Sequence, residues 1–204
     1  MPTTSSVTGK QPETRVRLVE SAADLFSRQG YGATGIKAVL AAAAAPYGSL
    51  YHFFPGGKQE LGAAALTHGG ARYREMLESV YPPGADVVEA TANSFVQAAE
   101  LLEGTDYGYT CPIATIALEV AETDELMRTA AASAFESWLE VLEERFTAAG
   151  MTAERAREVA VEIFCLIEGA VLLSRTTRSS VPMRTVERAA ANAVAAGLAD
   201  RNDR

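Results

Sequence analysis

TGIKAVLAAAAAPYGSLYHFF, residues 34–54, is the stretch of this sequence that decides the fold. Its first half has apolar residues at the i, i+3, i+4 and i+7 spacing of one helical stripe. These residues are Ile36, Val39, Leu40 and Ala43. Thr34 precedes the stripe, where a hydroxyl can cap the first turn of a helix. The stretch therefore predicts a helix that starts just after Thr34.

The alanine run that follows is interrupted by Pro46. Proline lacks the N–H that a helix-interior residue donates, and it disfavours the α region for the residue before it. The helix is therefore expected to end near Ala43. Proline also suits the first turn of a new helix, so residues 47–53 are predicted to form a short helix with Leu50 and Phe54 facing inward. Two helices joined by a short turn make a helix-turn-helix.

The second helix has the composition of a DNA-reading element. Tyr47, Gly48 and Ser49 stand at its N-terminus, where a recognition helix meets base edges, and Gly48 permits a close backbone approach. The candidates for phosphate contacts, which fix register without reading sequence, are Thr34, Tyr51, His52 and Lys58. Lys37, on the first helix, is a candidate for either kind of contact. The alternative is a short amphipathic helix that only closes a small core.

These residues carry a family resemblance. From Thr14 to Ala65 the chain resembles the N-terminal domain of the TetR family of transcriptional regulators, and SLYHFFPGGKQEL, residues 49–61, resembles its LmrA/YxaF-like branch. The resemblance implies a three-helix DNA-binding domain followed by a helical domain that encloses a small-molecule cavity and forms a dimer.

Two positions depart from the usual family pattern. Ala44 stands where the turn of the family usually has Gly, so a residue with a Cβ is expected to accept a positive φ at some cost. Tyr47 stands where Lys is frequent, which replaces a phosphate-seeking charge with a ring that can stack or hydrogen-bond. Both departures bear on operator preference rather than on the fold.

The net charge of −8 is unevenly distributed along the chain. Residues 1–80 hold eight basic and six acidic side chains, a net charge of +2, and the remaining residues hold ten basic and twenty acidic side chains, a net charge of −10. A surface that binds phosphates needs a positive field. The N-terminal part is therefore the part predicted to meet nucleic acid.

Several classes of protein are disfavoured by composition. The longest apolar run, residues 159–174, is interrupted by Glu162 and Glu168, so no membrane span is predicted. Two cysteines without a C-x-x-C motif and only two histidines predict neither a zinc site nor a disulfide scaffold. Gln59 follows Lys58, so the Gly-Gly-Lys run is not a nucleotide-binding P-loop. We expect a cytoplasmic protein without cofactor or metal.

The rest of the chain is predicted to be all-α, with about nine helices in the whole chain. Besides the two helices of the motif, helices are predicted at residues 13–29, 58–80, 85–103, just after Pro112, 124–149, 153–175 and 182–199. Thr152 is placed to cap the helix that begins at residue 153. The polar residues 1–12 lack a signal-peptide core and are predicted to be disordered.

These helices predict three segments after the tail. Residues 13–57 form the DNA-binding domain, residues 58–81 a connecting helix, and residues 82–204 the ligand-binding and dimerisation domain. The breaker at residues 81–84 marks the last boundary. The connecting helix begins beside Lys58, so its N-terminus is expected to bind an anion such as a DNA phosphate.

The candidates for effector binding lie on the middle helices. They are Phe95, Tyr107, Cys111, Phe135, Trp138, Phe164 and Glu168. Core packing explains each aromatic residue equally simply, and the resemblance is what implies a cavity. Cys111 either faces that cavity, reacts with an electrophile, or is a small apolar residue. Glu168 either accepts a hydrogen bond from a ligand or pairs with Arg175 or Arg178 of its own or a second chain.

The last two predicted helices carry small side chains that permit close helix approach. These are Gly169, Ala170, Ala189, Ala190, Ala193 and Ala196. The resemblance implies that these helices form a four-helix dimer interface with a second subunit. Two heads on a twofold axis can then read two half-sites of a palindromic operator.

The hypothesis is a ligand-responsive transcriptional repressor that a small apolar or aromatic effector releases from DNA. Two alternatives belong to other classes. An enzyme on an all-α scaffold is disfavoured because the chain offers no recognisable acid/base pair, nucleophile with a nearby histidine, or cofactor loop. A small-molecule-binding helical protein with weak or lost DNA binding is consistent with the thin basic surplus and with Ala44, and measured DNA affinity separates it from a regulator.

Overall fold

The computed structural model describes residues 10–200, and the regular structure of these residues consists of nine α-helices without a strand. The helices are α1 (Lys10–Gln29), α2 (Ile36–Ala42), α3 (Ser49–Phe53), α4 (Gly57–Val80), α5 (Val87–Gly104), α6 (Ala114–Val120), α7 (Glu125–Ala148), α8 (Ala153–Thr177) and α9 (Val181–Ala199). The prediction of an all-α chain with about nine helices is confirmed.

Most helix ends lie within two residues of the predicted ones. The hydroxyl of Thr152 accepts the N–H of Arg155 at 3.2 Å, which confirms the predicted cap of α8. Helix α1 begins at Lys10, three residues earlier than predicted, and the rest of the predicted disordered tail lies outside the described residues. The cap of α5 is Asp86, which sequence analysis did not identify.

The chain divides into two compact units. The first contains the described chain up to Gly70 together with Pro112–Ala134, and the second contains Ala71–Cys111 together with the chain from Phe135 onward. Helices α4 and α7 each contribute residues to both units. Helix α6 belongs to the first unit, which sequence analysis did not foresee because α6 is far from α1–α3 along the chain.

The core of the first unit is built from the inner faces of α1 to α4. Helix α1 buries an apolar stripe that includes Leu18, Ala22 and Phe26, all 0% exposed. Val39 of α2, and Leu50 and Phe54 at α3, are also buried. Helix α6 and the start of α7 add Ile113, Ile116, Val120 and Met127. These buried residues form the core against which α1, α2 and α3 pack.

The core of the second unit is aromatic and aliphatic. Tyr81, placed in the predicted breaker, is buried and its hydroxyl bonds to the Thr91 hydroxyl at 3.1 Å. Its ring lies edge-on to Phe146 at 6.2 Å. Trp138 is 0% exposed. The predicted chain breaker at residues 81–84 is thus also part of a packed core.

Helix α8 leaves one apolar face uncovered in the single chain. Leu172 is 63% exposed and Leu173 is 54% exposed, and Val161 and Cys165 of the same helix are exposed as well. Within residues 10–200 no helix combines the length and the apolar character that a membrane crossing requires.

Candidate nucleic-acid interface

Helix α2 ends in a Schellman motif made entirely of backbone groups. The N–H of Ala44 donates to the carbonyl of Ala41 at 3.1 Å, and the N–H of Ala45 donates to the carbonyl of Leu40 at 2.9 Å. This motif places its C′ residue in the left-handed region, and Ala44 has φ +47°. The predicted positive φ at Ala44 is confirmed, and so is the predicted end of the helix near Ala43, which is its C-cap.

Helix α3 follows after a tight turn. The N–H of Ser49 donates to the carbonyl of Pro46 at 2.9 Å, and the helix runs from Ser49 to Phe53, so it begins two residues later than predicted. Leu50 and Phe54 are each 1% exposed, as predicted. The helix is therefore fixed to the core along one side.

The opposite side of α3 and its preceding turn face solvent. Tyr47 is 62% exposed and Tyr51 is 58% exposed. Gly48 and His52 are exposed, and Ser49 is half-buried. A Cβ built on Gly48 meets no atom within 4 Å, so the backbone there is open to close approach. Four of the five predicted DNA-binding residues in this segment are thus exposed to solvent, and the fifth, Ser49, is half-buried.

Helix α1 supports this motif through two arginines that sequence analysis missed. The Nε of Arg17 donates to the carbonyl of Ala43 at 3.0 Å, which satisfies a carbonyl left free at the end of α2. The guanidinium of Arg15 lies 5.3 Å from the ring centroid of Phe54. The only signal in the sequence was a pair of basic residues beside the apolar stripe of α1.

The prediction that the Thr34 side chain contacts a phosphate does not fit the structure. Thr34 is 1% exposed, and its hydroxyl donates to the carbonyl of Gly30 at 2.7 Å. The prediction that Thr34 caps α2 is also wrong, because the N-cap residue is Gly35, without a side-chain bond. The hydroxyl instead satisfies a carbonyl at the end of α1.

Lys58 is also turned into the first unit rather than toward solvent. Its Nζ donates to the carbonyl of Tyr31 at 2.6 Å and lies 4.2 Å from the centroid of the Tyr31 ring. Burial lowers the pKa of the Lys58 ammonium, and the nearby Glu119 carboxylate works against that shift. In this structure the half-buried Lys58 side chain thus bonds to the turn between α1 and α2, and its phosphate contact stays a prediction.

The anion site predicted at the start of α4 is occupied by the chain itself. The carboxylate of Glu60 accepts the N–H of Gly56 at 2.8 Å. With the Lys58 ammonium engaged elsewhere, a carboxylate rather than a free cation stands at this helix end. Lys37 of α2 remains exposed, which leaves it as the lysine of the predicted set that is accessible to DNA.

In the second unit, three of the predicted effector residues form one aromatic cluster. The rings of Phe135, Trp138 and Phe164 lie with centroids 5.4 to 5.6 Å apart. Tyr73, which sequence analysis did not select, joins them at 4.2 Å from Trp138. Offset and edge-on contacts at these distances are favourable for aromatic side chains.

A group of polar side chains lies beside this aromatic cluster. The thiol of Cys111 donates a hydrogen bond to the Glu168 carboxylate, and burial nevertheless raises the pKa of Glu168. Burial, with Cys111 and Glu168 nearby, raises the pKa of Tyr109 to about 12. Burial also raises the pKa of Tyr73 well above its ordinary value, and the same two residues add to that shift. Burial is thus the largest cause of the raised pKa values of Glu168, Tyr109 and Tyr73.

The other two predicted effector residues lie elsewhere. Phe95 is fully buried on α5. Tyr107 has φ +59°, its carbonyl accepts from Arg175 at 3.4 Å, and its ring lies 5.8 Å from the guanidinium of Arg178. Arg178 forms an ion pair with Asp106. Arg175 and Arg178 were proposed as partners of Glu168. Within the described chain, they contact Tyr107 and Asp106.

An open groove of about 380 Å³ lies between the end of α4 and the start of α5. Its lining residues are Ser79, Val80, Pro82, Ala85, Asp86, Glu89, Ala90, Asn93 and Gln97. None of the predicted effector residues is among them.

Two protein-family profiles match this chain, one in its N-terminal part and one in its C-terminal part. The profile of bacterial regulatory proteins of the tetR family matches residues 18–65, which include α2 and α3. The profile of the LmrA/YxaF-like C-terminal domain of transcriptional regulators matches residues 87–189. The chain belongs to the TetR family of bacterial transcriptional regulators. This TetR-family chain is therefore a helix-turn-helix regulator that binds DNA.

Individual relatives extend over nearly the whole chain. The HTH-type transcriptional regulator Rv0196 of Mycobacterium tuberculosis is 35% identical over 193 residues, which cover 92% of this chain and 97% of the relative. YxaF of Bacillus subtilis, also an HTH-type transcriptional regulator, is 32% identical over 171 residues, 84% of this chain and 90% of its own. The crystal structure of regulatory protein TetR from Rhodobacter sphaeroides shares the fold, with a TM-score of 0.76 at 19% identity, and covers 88% of this chain and 98% of that one.

Proposed function

We propose that this TetR-family regulator is a ligand-responsive repressor, which binds a palindromic operator as a homodimer and is released by a small apolar or aromatic effector. The observation that carries the proposal is the face of α3. Two tyrosines expose more than half of their surface there, while Leu50 and Phe54 fix the same helix to the core. Exposed aromatic residues on a rigid support are typical of a binding surface.

The contacts that we propose follow from this exposure. Tyr47, Gly48 and Ser49 meet base edges in the major groove, as the N-terminal residues of a recognition helix do. Tyr51, His52 and Lys37 bind phosphates, which set the register of the protein on DNA. Thr34 and Lys58 are left out because their side chains bond within the first unit.

The uncovered face of α8 supports the homodimer. Val161, Cys165, Gly169 and Leu172 recur at helical spacing and are all exposed, and a Cβ on Gly169 meets nothing within 4 Å. An apolar stripe of this kind normally lies against another helix. A second copy of the chain is the partner that fits best, because it covers the stripe with an identical one.

The aromatic cluster of the second unit supports an apolar or aromatic effector. Phe135, Trp138 and Phe164 supply ring surface, and the Glu168 carboxylate supplies an acceptor for a donor group of that compound. The effector shifts the regulator toward a non-binding conformation only by its difference in affinity for the two conformations, typically about 1–3 kcal/mol.

The cysteine residues are consistent with a reducing compartment, so we place the protein in the cytoplasm. Cys111 and Cys165 are not joined in a disulfide. Structural disulfides are typical of proteins from oxidising compartments.

Selection from a randomised DNA library tests the proposal. Full-length protein is incubated with labelled duplexes, and the retained fraction is sequenced. We expect a palindrome to be enriched, with an affinity that falls steeply as salt rises, because phosphate contacts release counterions. No enrichment, or binding that salt does not change, would contradict the proposal. That result would favour a small-molecule-binding helical protein with weak or lost DNA binding.

A reporter gene tests repression separately from binding. The selected palindrome is placed between a promoter and the reporter, and a second reporter with a scrambled duplex at the same place is the control. We expect expression of the protein to lower transcription only from the reporter that carries the palindrome. Unchanged or increased transcription would show that the protein is not a repressor at this site.

A further inference from the structure

The turn between α1 and α2 is bonded to a residue 88 positions away in the sequence. One carboxylate oxygen of Glu119, on α6, accepts the N–H of Tyr31 at 3.1 Å, and the other accepts the N–H of Gly32 at 2.6 Å. Hydrogen bonds to a carboxylate are roughly twice as strong as those between neutral groups. All three residues belong to the first unit.

The same turn is also bonded to α4. The carbonyl of Tyr31 accepts the ammonium of Lys58 at 2.6 Å, and the Tyr31 ring lies under that ammonium at 4.2 Å. The charges of Glu119 and Lys58 interact, since Glu119 raises the pKa of the Lys58 ammonium against the effect of burial. The N–H and carbonyl of Tyr31 are thus fixed by two opposite charges on two different helices.

The backbone of the turn leaves space for the carboxylate. A Cβ built on Gly30 would collide with an oxygen of Glu119, and a Cβ built on Gly32 would lie 3.1 Å from the other oxygen. Gly30 also has φ +87°, which favours glycine at the end of α1. The positive φ therefore favours glycine at position 30, and a side chain at position 30 or 32 would crowd or displace the Glu119 carboxylate.

We propose that Glu119 is a positioning residue for DNA binding, which fixes the α1–α2 turn to α6 and so sets the orientation of α2 and α3 for the operator. The proposal rests on the DNA-binding function proposed above. Helix α2 begins four residues after Gly32, so movement of the turn moves the start of the helix-turn-helix. Helix α6 itself begins three residues after Cys111, whose thiol bonds to Glu168, so α6 directly follows the polar group beside the aromatic cluster along the chain.

The test compares Glu119→Ala and Glu119→Gln with the full-length parent. Glutamine keeps one acceptor oxygen and alanine keeps none, so the two variants should form a graded series. NMR hydrogen exchange measures the Tyr31 and Gly32 amides directly, and fluorescence anisotropy measures affinity for the palindrome that the parent selects. We expect exchange at both amides to rise about tenfold or more in Glu119→Ala, DNA affinity to fall about tenfold, and Glu119→Gln to lie between.

Glu122→Ala is the matched control, because Glu122 is an exposed carboxylate three residues further along the same segment. It should leave both amide exchange and DNA affinity unchanged. Equal DNA losses for Glu119→Ala and Glu122→Ala would overturn the proposal, since net charge alone would then explain them. Faster amide exchange with DNA affinity within twofold of the parent would overturn it as well.

Three further outcomes remain distinguishable. Should Glu119→Ala fail to fold, Glu119→Gln carries the comparison, with thermal unfolding to show that its core is intact. If the parent selects no duplex, the proposed function and the positioning role both fail, whereas the exchange data still report whether Glu119 fixes the turn. If the parent binds DNA and Glu119→Gln binds the palindrome with the same affinity, the positioning role alone is overturned.

Discussion

Ala44 is one of four described non-glycine residues with a positive φ, and it lies in the turn of the helix-turn-helix. Its φ of +47° completes the Schellman motif that ends α2. A left-handed conformation costs a residue with a Cβ about 1–2 kcal/mol, and Ala44 is exposed, so its methyl group buries little surface in return. The turn of the motif is therefore held in place by the surrounding core and not by the preference of Ala44 itself.

Ala44→Gly should stabilise the protein by about 1 kcal/mol, because glycine adopts this φ without strain. In a chain of this size that corresponds to a rise in Tm of about 2–4 °C, measured by circular dichroism. Ala41→Gly, at an exposed position inside α2, is the control and should lower Tm, since glycine destabilises a helix by about 0.5–1 kcal/mol. A lower Tm for Ala44→Gly would contradict the strain at this position.

Gly48→Ala tests how closely the backbone approaches DNA. Gly48 has φ −67° and ψ −15°, which alanine adopts freely, and its added Cβ meets no atom within 4 Å. Thermal stability should therefore stay unchanged while DNA affinity falls about tenfold, about 1.4 kcal/mol. Gly104→Ala, equally open and at the end of α5, should change neither. Parental affinity in Gly48→Ala would show that the backbone there does not come close to DNA.

Helix α3 has five residues, too few to be stable alone in water. Its existence depends on tertiary contacts of Leu50 and Phe54, and on Arg15, which lies over the Phe54 ring. Such a helix presents its outer side chains in a fixed orientation only while the core behind it is intact. This dependence makes the exposed tyrosines suitable for mutation, because their removal leaves the supporting contacts in place.

Tyr47→Ala and Tyr51→Ala should have different effects on DNA binding. Tyr47 is proposed to meet base edges, so its loss should change the set of sequences selected from the library. Tyr51 is proposed to bind a phosphate, so its loss should weaken binding to all sequences alike. Leu118→Ala, which removes an 85% exposed side chain from α6, is the control and should do neither. Identical sequence profiles for Tyr47→Ala and the parent would refute the assignment of Tyr47.

For the whole molecule, charge and apolar surface are separated along the chain. The net charge is +2 in residues 1–80 and −10 in the remainder. DNA therefore attracts the part that carries the helix-turn-helix and repels the remainder. The uncovered apolar face of α8 lies in the acidic remainder. This distribution fits a protein that meets DNA with one part and a second copy of itself with the other.

Leu172→Glu should convert the proposed dimer into monomers. A carboxylate without a partner in a buried interface costs about 3–5 kcal/mol, which raises the dimer dissociation constant by at least about a hundredfold. Sedimentation equilibrium measures the mass, and affinity for the selected palindrome should fall with it. Leu118→Glu introduces the same charge at a more exposed site on α6 and should leave the mass unchanged. A dimeric Leu172→Glu variant would show that α8 is not the interface.

The sequence by itself determined the elements and their inward faces. Pro46, the alanine run and the spacing of Leu50 and Phe54 are local signals, and they predicted the end of α2, the short α3 and its buried side. Thr152 likewise identified the cap of α8. Such features depend on backbone dihedral preferences and apolar periodicity within a few residues, so they can be read without knowing the rest of the fold.

Only the tertiary structure decided which partner each polar side chain takes. Thr34 and Lys58 have the chemistry of phosphate contacts, yet both bond to carbonyls of the first unit. Glu119 carried no local signal and contacts a turn 88 residues away. The reason is that a hydrogen bond is directional and short, so its partner is set by how distant helices pack. Hydrophobic burial lacks that directionality, and a local pattern is therefore enough to predict it.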